Sequence, residues 1–202
     1  LNFTEATDIP GYHPDVKVYD VTDANGRHMA VFYADFFPRE SKRGGAWMTS
    51  FREQGFSKDG KVENRPFTSI VCNFTKPTEN EPSLLTFYEV TTLLHEFGHA
   101  LHGMLAEGKF QSLTGTSVAR DFVELPSQIM ENWATEKEYL ASFAKHYQTG
   151  EVIPDELVKK IIDSKNFNSG YQSVRQLHFG TLDMAWHTIT SVPEDVVAFE
   201  NE

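Results

Sequence analysis

The sequence is poor in cysteine, since Cys72 is the only one in 202 residues. A single thiol excludes an intrachain disulfide, so no cysteine framework supports the fold. Cys72 lies in the strand-like run TSIVCNF at 68–74. We therefore expect a buried structural cysteine rather than a nucleophile or a metal ligand. A reducing compartment is compatible with this composition.

Long apolar runs and an excess of positive charge are also missing. No run approaches the roughly 20 apolar residues that a membrane helix requires. The first residues, LNFT, lack the basic start and the apolar core of a signal peptide, and the missing initiator methionine suggests a processed chain or a piece of a longer one. The net charge of −11 argues against a nucleic acid or an anionic membrane as partner. We therefore expect a cytoplasmic protein that binds neither.

The sequence changes from strand patterns to helix patterns near residue 82. β-rich runs are predicted at 16–21, 29–37, 46–51 and 67–74, with an Asn25-Gly26 hairpin turn and a loop at 55–65. Helical spacing predicts helices at 90–105, 121–146, 154–162 and 171–189. The prediction is an α+β fold with a β-rich part at 1–82 and a mainly helical part at 83–202.

Local residue choices set the expected helix ends. Gly108 is a plausible stop for the first helix, and Asp121 resembles the N-cap of the second. Pro126 falls in the early turns of that second helix, where we expect it to bend the axis. Pro154 suits the first position of the third helix.

Residues 95–99 (HEFGH) lie within the first predicted helix. His95 and His99, four residues apart, share one helix face, so both can reach one tetrahedral zinc at roughly 2.0–2.1 Å. Glu96 can point at the open coordination position and accept a proton from a water whose pKa the zinc lowers to about 7. Gly98 stands where a larger side chain would crowd the metal. H-E-x-x-H is typical of zinc metallopeptidases.

The third zinc ligand is less certain from spacing. The metzincin pattern requires a histidine at 105, where this chain has Leu105. His102 lies about 10.5 Å along the helix axis from His95, which favours a second-shell or packing role. A His₂Glu site would take a later glutamate. The acids within reach are Glu107, Glu124, Glu131 and Glu136. Spacing favours Glu124, in its mostly apolar setting, with Glu131 as the runner-up.

Several motifs resemble the thimet oligopeptidase family of zinc peptidases. They are HEFGHALHG at 95–103, RDFVELPSQ at 120–128, ENWAT at 131–135 and FYADFFPRESKRGGAWM at 32–48. Within the last, FFPRESKRGGAWM at 36–48 resembles the peptidyl-dipeptidase (dipeptidyl carboxypeptidase) branch more than the endopeptidase branch. The resemblance runs from about residue 16 to 187. It implies a gluzincin-like catalytic domain in which His95, His99 and Glu124 hold one Zn²⁺ per chain and Glu96 is the general base and proton shuttle.

The resemblance also implies a reaction and a missing context. The expected activity is hydrolysis of short unstructured peptides with release of C-terminal dipeptides. The alternatives are an oligopeptide endopeptidase and a non-catalytic zinc-binding or peptide-binding module. Members of the family are several times longer, so the chain resembles an internal fragment. The N- and C-terminal parts of the parent chain, including an oxyanion-stabilising segment, are then missing, and we expect weak turnover from this chain alone.

Five further residues are weaker candidates. Gly115 and Thr116 lie in a loop that resembles the family's segment beside the active site, where backbone groups can pair with an extended peptide, although a plain connecting loop fits equally well. Asp121 and Gln128 flank Glu124 and could orient the ligands from the second shell, as could His102.

Overall fold

Within residues 1–201, which a computed structural model describes, strands precede helices. The strands are β1 (Asn2–Glu5), β2 (Lys17–Thr22), β3 (His28–Asp35), β4 (Trp47–Arg52), β5 (Gly55–Phe56), β6 (Glu63–Asn64) and β7 (Phe67–Val71). The α-helices are α1 (Phe87–Met104), α2 (Leu125–Glu131), α3 (Lys137–Phe143), α4 (Asp155–Ser164), α5 (Ser169–Thr188) and α6 (Val196–Glu200). The α+β class predicted from the sequence is confirmed.

Five strands form the main sheet in the order β1-β2-β3-β7-β4. Strands β3 and β7 run parallel, whereas the other neighbours are antiparallel. The Asn25-Gly26 hairpin is confirmed, because β2 pairs with β3 across it and Gly26 has a φ of 81°. Strands β5 and β6 form a separate hairpin within the stretch predicted to be a loop. This order leaves β4 at one edge of the sheet.

The core lies between the main sheet and one face of α1. Ala100 and Met104 of α1 are fully buried against Ile70 and Phe32 of the sheet. Cys72 belongs to the same cluster, and burial raises the pKa of its thiol to about 12. The prediction of a buried structural cysteine is confirmed. This packing fixes α1, the helix that carries HEFGH, to a rigid sheet.

Helix α1 begins earlier than its apolar spacing predicts because a capping box starts it. The Thr86 hydroxyl accepts a hydrogen bond from the Glu89 N–H (3.2 Å), and the Glu89 carboxylate accepts one from the Thr86 N–H (2.8 Å). The helix ends at Met104, so Gly108 is not its stop. Gly108 instead lies against Thr114, whose methyl group a Cβ at Gly108 would meet at 2.5 Å.

The prediction of a single helix over 121–146 is wrong. The chain forms α2, a 3-10 turn at Asn132–Thr135 and then α3. Asp121 is therefore not an N-cap, because α2 begins four residues later at Leu125. Pro126 does not bend a helix: it lies in the first turn of α2, where its missing N–H costs nothing. Local propensity predicted helix correctly, but not its interruption.

The chain divides into two compact units, Leu1–Ile153 and the residues from Pro154 onward. Helices α4 and α5 of the second unit lie close to their predicted positions. No residue of α5 is buried, and Val174 and Leu177 are 65% and 70% exposed. No helix of the described part of the chain is both long and apolar enough to cross a membrane.

A buried ionic network fixes the segment that joins β3 to β4. Asp35, 1% exposed, accepts two hydrogen bonds from the Arg39 guanidinium, at 2.8 and 2.9 Å. The Lys42 ammonium donates to Asp35 Oδ1 (3.0 Å) and to the carbonyls of Asp35 (2.9 Å) and Phe37 (2.8 Å). Burial opposes ionisation of Asp35, but the bonds from Arg39 and Lys42 outweigh it and lower the pKa of its carboxyl.

Replacing Lys42 with methionine should lower the free energy of unfolding by about 3 kcal/mol, because it leaves part of a buried charge and two carbonyls unpaired. The Lys42 side chain is 2% exposed, whereas Lys17, paired with Glu5, is 62% exposed. Lys17→Met is therefore the matched control and should change stability by less than about 0.5 kcal/mol. Urea unfolding of both variants makes the comparison, and equal effects would contradict it.

Candidate metal centre

The centre is built where α1 and α2 approach each other at Gly98. A Cβ at this position would lie 2.3 Å from the Pro126 carbonyl oxygen and 2.6 Å from the Ser127 Cα. The missing side chain thus lets the first turn of α2 contact the α1 backbone directly. We expected Gly98 to keep space for the metal, but the space beside it is filled by the backbone of Pro126 and Ser127. Gly98 makes room for a second helix.

Gly98→Ala should therefore displace α2 and lower the free energy of unfolding by about 3 kcal/mol, since backbone atoms cannot rotate away as a side chain can. Gly180, in the middle of α5, is the matched control because a Cβ there meets nothing within 4 Å. Gly180→Ala should stabilise the chain by up to about 1 kcal/mol. Thermal unfolding of the two variants should shift in opposite directions, and a neutral Gly98→Ala would contradict the packing argument.

Three potential ligand atoms converge beside this contact. The Glu124 carboxylate oxygen Oε2 lies 3.3 Å from Nε2 of His95 and 3.1 Å from Nε2 of His99. The ligand atoms of the three residues all lie within 4.8 Å of one another. The structure therefore brings together the three residues predicted as ligands. Glu124 is the residue just before α2. The contact between the two helices at Gly98 therefore brings its carboxylate close to α1.

The donor set and the spacing fit a zinc ion. Two ligands of a tetrahedral zinc, each about 2.0–2.1 Å from the metal, stand about 3.3 Å apart. The two oxygen-to-nitrogen distances at Glu124 match that separation. Two imidazoles and one carboxylate are the protein ligands of many catalytic zinc sites, which keep a fourth position open.

Glu131 holds His95 in the orientation that this ligand set needs. Its Oε1 lies 2.7 Å from His95 Nδ1, so Nδ1–H donates and Nε2 keeps its lone pair for a metal. Glu131, the runner-up as third ligand, contacts the opposite ring nitrogen from Glu124. The sequence contains a signal for this arrangement, because Glu124 and Glu131 are seven residues, two helical turns, apart.

Ser127 is a site residue that the sequence analysis missed. Its hydroxyl oxygen lies 2.7 Å from Glu124 Oε2 and 2.9 Å from the Glu124 carbonyl oxygen. The hydrogen bond from Ser127 is the main reason that the pKa of the Glu124 carboxyl is lowered, with the neighbouring histidines adding to it. In contrast, burial lowers the pKa of His99, an effect that Glu124 partly offsets.

Glu96 differs from the ligands in being buried, at 8% exposure. Burial raises the pKa of its carboxyl, although the interactions with His95 and with the backbone N–H of Met48 act in the opposite direction. A raised pKa makes a carboxylate a stronger base. Glu96 also lines a cavity of about 390 Å³ beside the ligands, together with Ala46, Tyr88, Thr91, Thr92, His95 and Glu131.

The weaker candidates lie apart from the ligand cluster. His102 packs against the Phe122 ring and lines an apolar cavity of about 530 Å³ with Gly115, beside the second half of α1. Its Nδ1 is buried without a hydrogen-bond partner among residues 1–201, and burial lowers its pKa. Gly115, with a φ of 58°, lies close to the Glu53 carboxylate and the Gly103 Cα, and Thr116, which follows it, is half-buried.

The other two second-shell candidates flank Glu124 in the chain, and their role there stays a prediction. Gln128 is exposed and donates its backbone N–H to the Glu124 carbonyl at 2.9 Å. Asp121 is exposed in the turn that precedes α2. The side chain of Ser127 also reaches the Glu124 carboxylate, through its hydroxyl group.

Comparison with known families adds an independent observation. The family model described as "Peptidase family M3" matches residues 1–198. This match covers the sheet, the two helices that meet at Gly98 and nearly all of the second unit. The residues that build the metal centre therefore lie inside the matched region.

Individual relatives match over nearly the whole chain but over a small part of their own length. A dipeptidyl carboxypeptidase of Escherichia coli (strain K12) is 46% identical over 202 residues, 99% of this chain and 29% of the relative. Oligopeptidase A of the same organism is 44% identical over 184 residues, 91% of this chain and 27% of the relative. Saccharolysin of Saccharomyces cerevisiae is 38% identical, with 93% and 27% covered. The chain thus spans less than a third of the length of these relatives.

Proposed function

The chain belongs to peptidase family M3, and on that premise we propose that it is the metal-binding part of a zinc metallopeptidase. His95, His99 and Glu124 would hold one Zn²⁺. The observation that carries the proposal is the convergence of their ligand atoms within 4.8 Å, on two helices that Gly98 allows to touch. A gluzincin-like core, with two ligands on α1 and one at the start of α2, agrees with this arrangement.

Glu96 is the proposed general base and proton shuttle. A bound zinc would supply Lewis-acid chemistry, polarising the scissile carbonyl and making a water molecule acidic. The Glu96 carboxylate accepts the proton of the attacking water and then transfers it to the leaving amine. Burial favours this role, because it raises the pKa of the carboxyl and so makes the carboxylate a better proton acceptor.

We propose short unstructured peptides as the substrates. The cavity beside His95 and Glu96 is open at the surface formed by Tyr88 and Thr92, so a flexible chain can reach it. The names of the relatives divide between dipeptidyl carboxypeptidase and oligopeptidase A. The motif at 36–48 supports release of C-terminal dipeptides over internal cleavage.

A second candidate function is a zinc-binding or peptide-binding module with little turnover of its own. The exposed apolar side chains of α5 favour it as a description of this chain alone, because Val174 and Leu177, 65% and 70% exposed, leave apolar surface uncovered. We propose that further segments of a longer polypeptide cover α5 and complete the catalytic centre.

The test compares this chain with an extended chain that covers the length of the relatives. Zinc stoichiometry and hydrolysis of an N-blocked tripeptide are measured for both, and the same peptide with a C-terminal amide distinguishes the two modes of cleavage. We expect one zinc per chain, dipeptide release by the extended chain and no cleavage of the amide. Cleavage of both peptides would identify an endopeptidase, whereas failure of both chains to bind zinc would overturn the proposed metal site.

A further inference from the structure

Ser127 lies within the contact between α1 and α2 and is completely buried, with an exposed fraction of 0%. Its Cα is one of the atoms that a Cβ at Gly98 would strike. Water therefore does not reach its hydroxyl, and a buried hydroxyl must find its hydrogen-bond partner within the protein. Both acceptors within reach belong to Glu124.

The hydroxyl has one proton and can donate it to either acceptor. A bond to the Glu124 carbonyl oxygen, at 2.9 Å, would be the ordinary link from a serine to the backbone three residues earlier. A bond to Oε2 is shorter, at 2.7 Å, and has a different consequence. Oε2 is the atom that faces the Nε2 atoms of His95 and His99.

The Glu124 side chain needs such a restraint. It is 50% exposed, whereas the His99 side chain is 11% exposed. A half-exposed glutamate has three rotatable side-chain bonds, and the loss of that freedom opposes binding of a metal. Besides the Ser127 hydroxyl, Oε2 contacts the Nε2 atoms of His95 (3.3 Å) and His99 (3.1 Å).

We propose that Ser127 is a positioning residue for the metal, whose hydroxyl holds Glu124 Oε2 in the rotamer that faces His95 and His99. This inference rests on the proposed function, since it concerns the same metal centre. Ser127 would orient Glu124 through a hydrogen bond, just as Glu131 orients His95. His95 and Glu124 then each have a hydrogen-bonded support on α2, whereas Nδ1 of His99 has no hydrogen-bond partner in the described part of the chain.

The experiment is a double-mutant cycle on metal affinity. Dissociation constants for Zn²⁺ and Co²⁺ are measured by chelator competition for the chain, Ser127→Ala, Glu124→Ala and the double variant. Loss of an outer-shell partner typically costs 10–100-fold in metal affinity. We expect Ser127→Ala to weaken binding by at least about 10-fold in the parent chain, but by less than about twofold when Glu124 is already alanine.

Ser142 of α3 provides the matched control. Its hydroxyl donates to the Tyr139 carbonyl at 2.6 Å, the same link three residues back, with no carboxylate involved. Ser142→Ala should leave both dissociation constants unchanged. The visible absorption of bound Co²⁺ gives a second readout, and Ser127→Ala should alter it because the carboxylate ligand is no longer held.

Each outcome has a defined meaning. Equal effects of Ser127→Ala with and without the Glu124 side chain would overturn the inference and leave a purely structural serine. An affinity of Ser127→Ala within twofold of the parent, with an unaltered Co²⁺ spectrum, would also overturn it. Failure of the parent chain to bind either metal would instead overturn the proposed function itself, so the two failures are distinguishable.

Discussion

Glu96→Gln should lower kcat for peptide hydrolysis by about 10³-fold, within the range typical of a lost general base, while zinc affinity stays within about threefold of the parent. Glutamine has the same shape as glutamate, so it fits the buried position of a residue that is 8% exposed. A carboxamide cannot accept the proton of the attacking water, and the ligand atoms of His95, His99 and Glu124 are untouched. The measurement is steady-state hydrolysis by the extended chain, with zinc content determined in the same samples.

Glu89→Gln, on the same helix, is the control for that substitution. Glu89 caps the start of α1 through its side chain, and glutamine satisfies a capping box as well. Its kcat should equal that of the parent chain. If Glu96→Gln retains kcat within tenfold while binding zinc, the proton passes through another group.

His99→Ala should weaken zinc binding by at least about 100-fold, since zinc sites with about 10–16 kcal/mol of binding energy share it among about four ligands. His102→Ala is the matched control: His102 lies on the same helix, three residues later, and outside the ligand cluster. Its variant should bind zinc as the parent does. The comparison of these two variants also tests the prediction from the sequence that His102 orients the metal ligands from the second shell.

Thermal unfolding gives a second readout of the His99 comparison. A ligand that binds only the folded state raises Tm by mass action. Excess zinc should raise the Tm of the parent and of His102→Ala, and leave that of His99→Ala unchanged. An equal zinc-induced shift in all three proteins would exclude His99 as a ligand.

The sequence predicts the parts of the molecule whose signal is local. Alternating residues identify β2, β-rich runs identify β3, β4 and β7, and helical spacing identifies α1 with its pentapeptide. Strand β1 was missed, because its four residues are all exposed and pair with β2 only through the tertiary fold. The two-residue strands β5 and β6 are too short to show a period.

The site divides in the same way. His95, Glu96 and His99 follow from spacing on one helix, whereas Glu124 depends on a second helix whose position no local pattern states. The meaning of Gly98 was misread for this reason, since the close approach of Pro126 and Ser127 is a long-range contact. Glu124 and Glu131 are seven residues apart, a spacing that places two residues on one helix face. Which nitrogen of the His95 ring each carboxylate contacts depends on the tertiary fold.

His99, within α1, and Glu124, just before α2, lie on either side of the connection between these helices, and this gives the metal a further consequence. An ion bound to both residues would crosslink them and close the chain from His99 to Glu124 into a loop, as a disulfide does. With Cys72 alone and buried, this protein cannot make such a crosslink from sulfur. A bound metal would tie α1 to the start of α2 in the folded chain, and its removal by a chelator would loosen the connection before it disturbs the sheet.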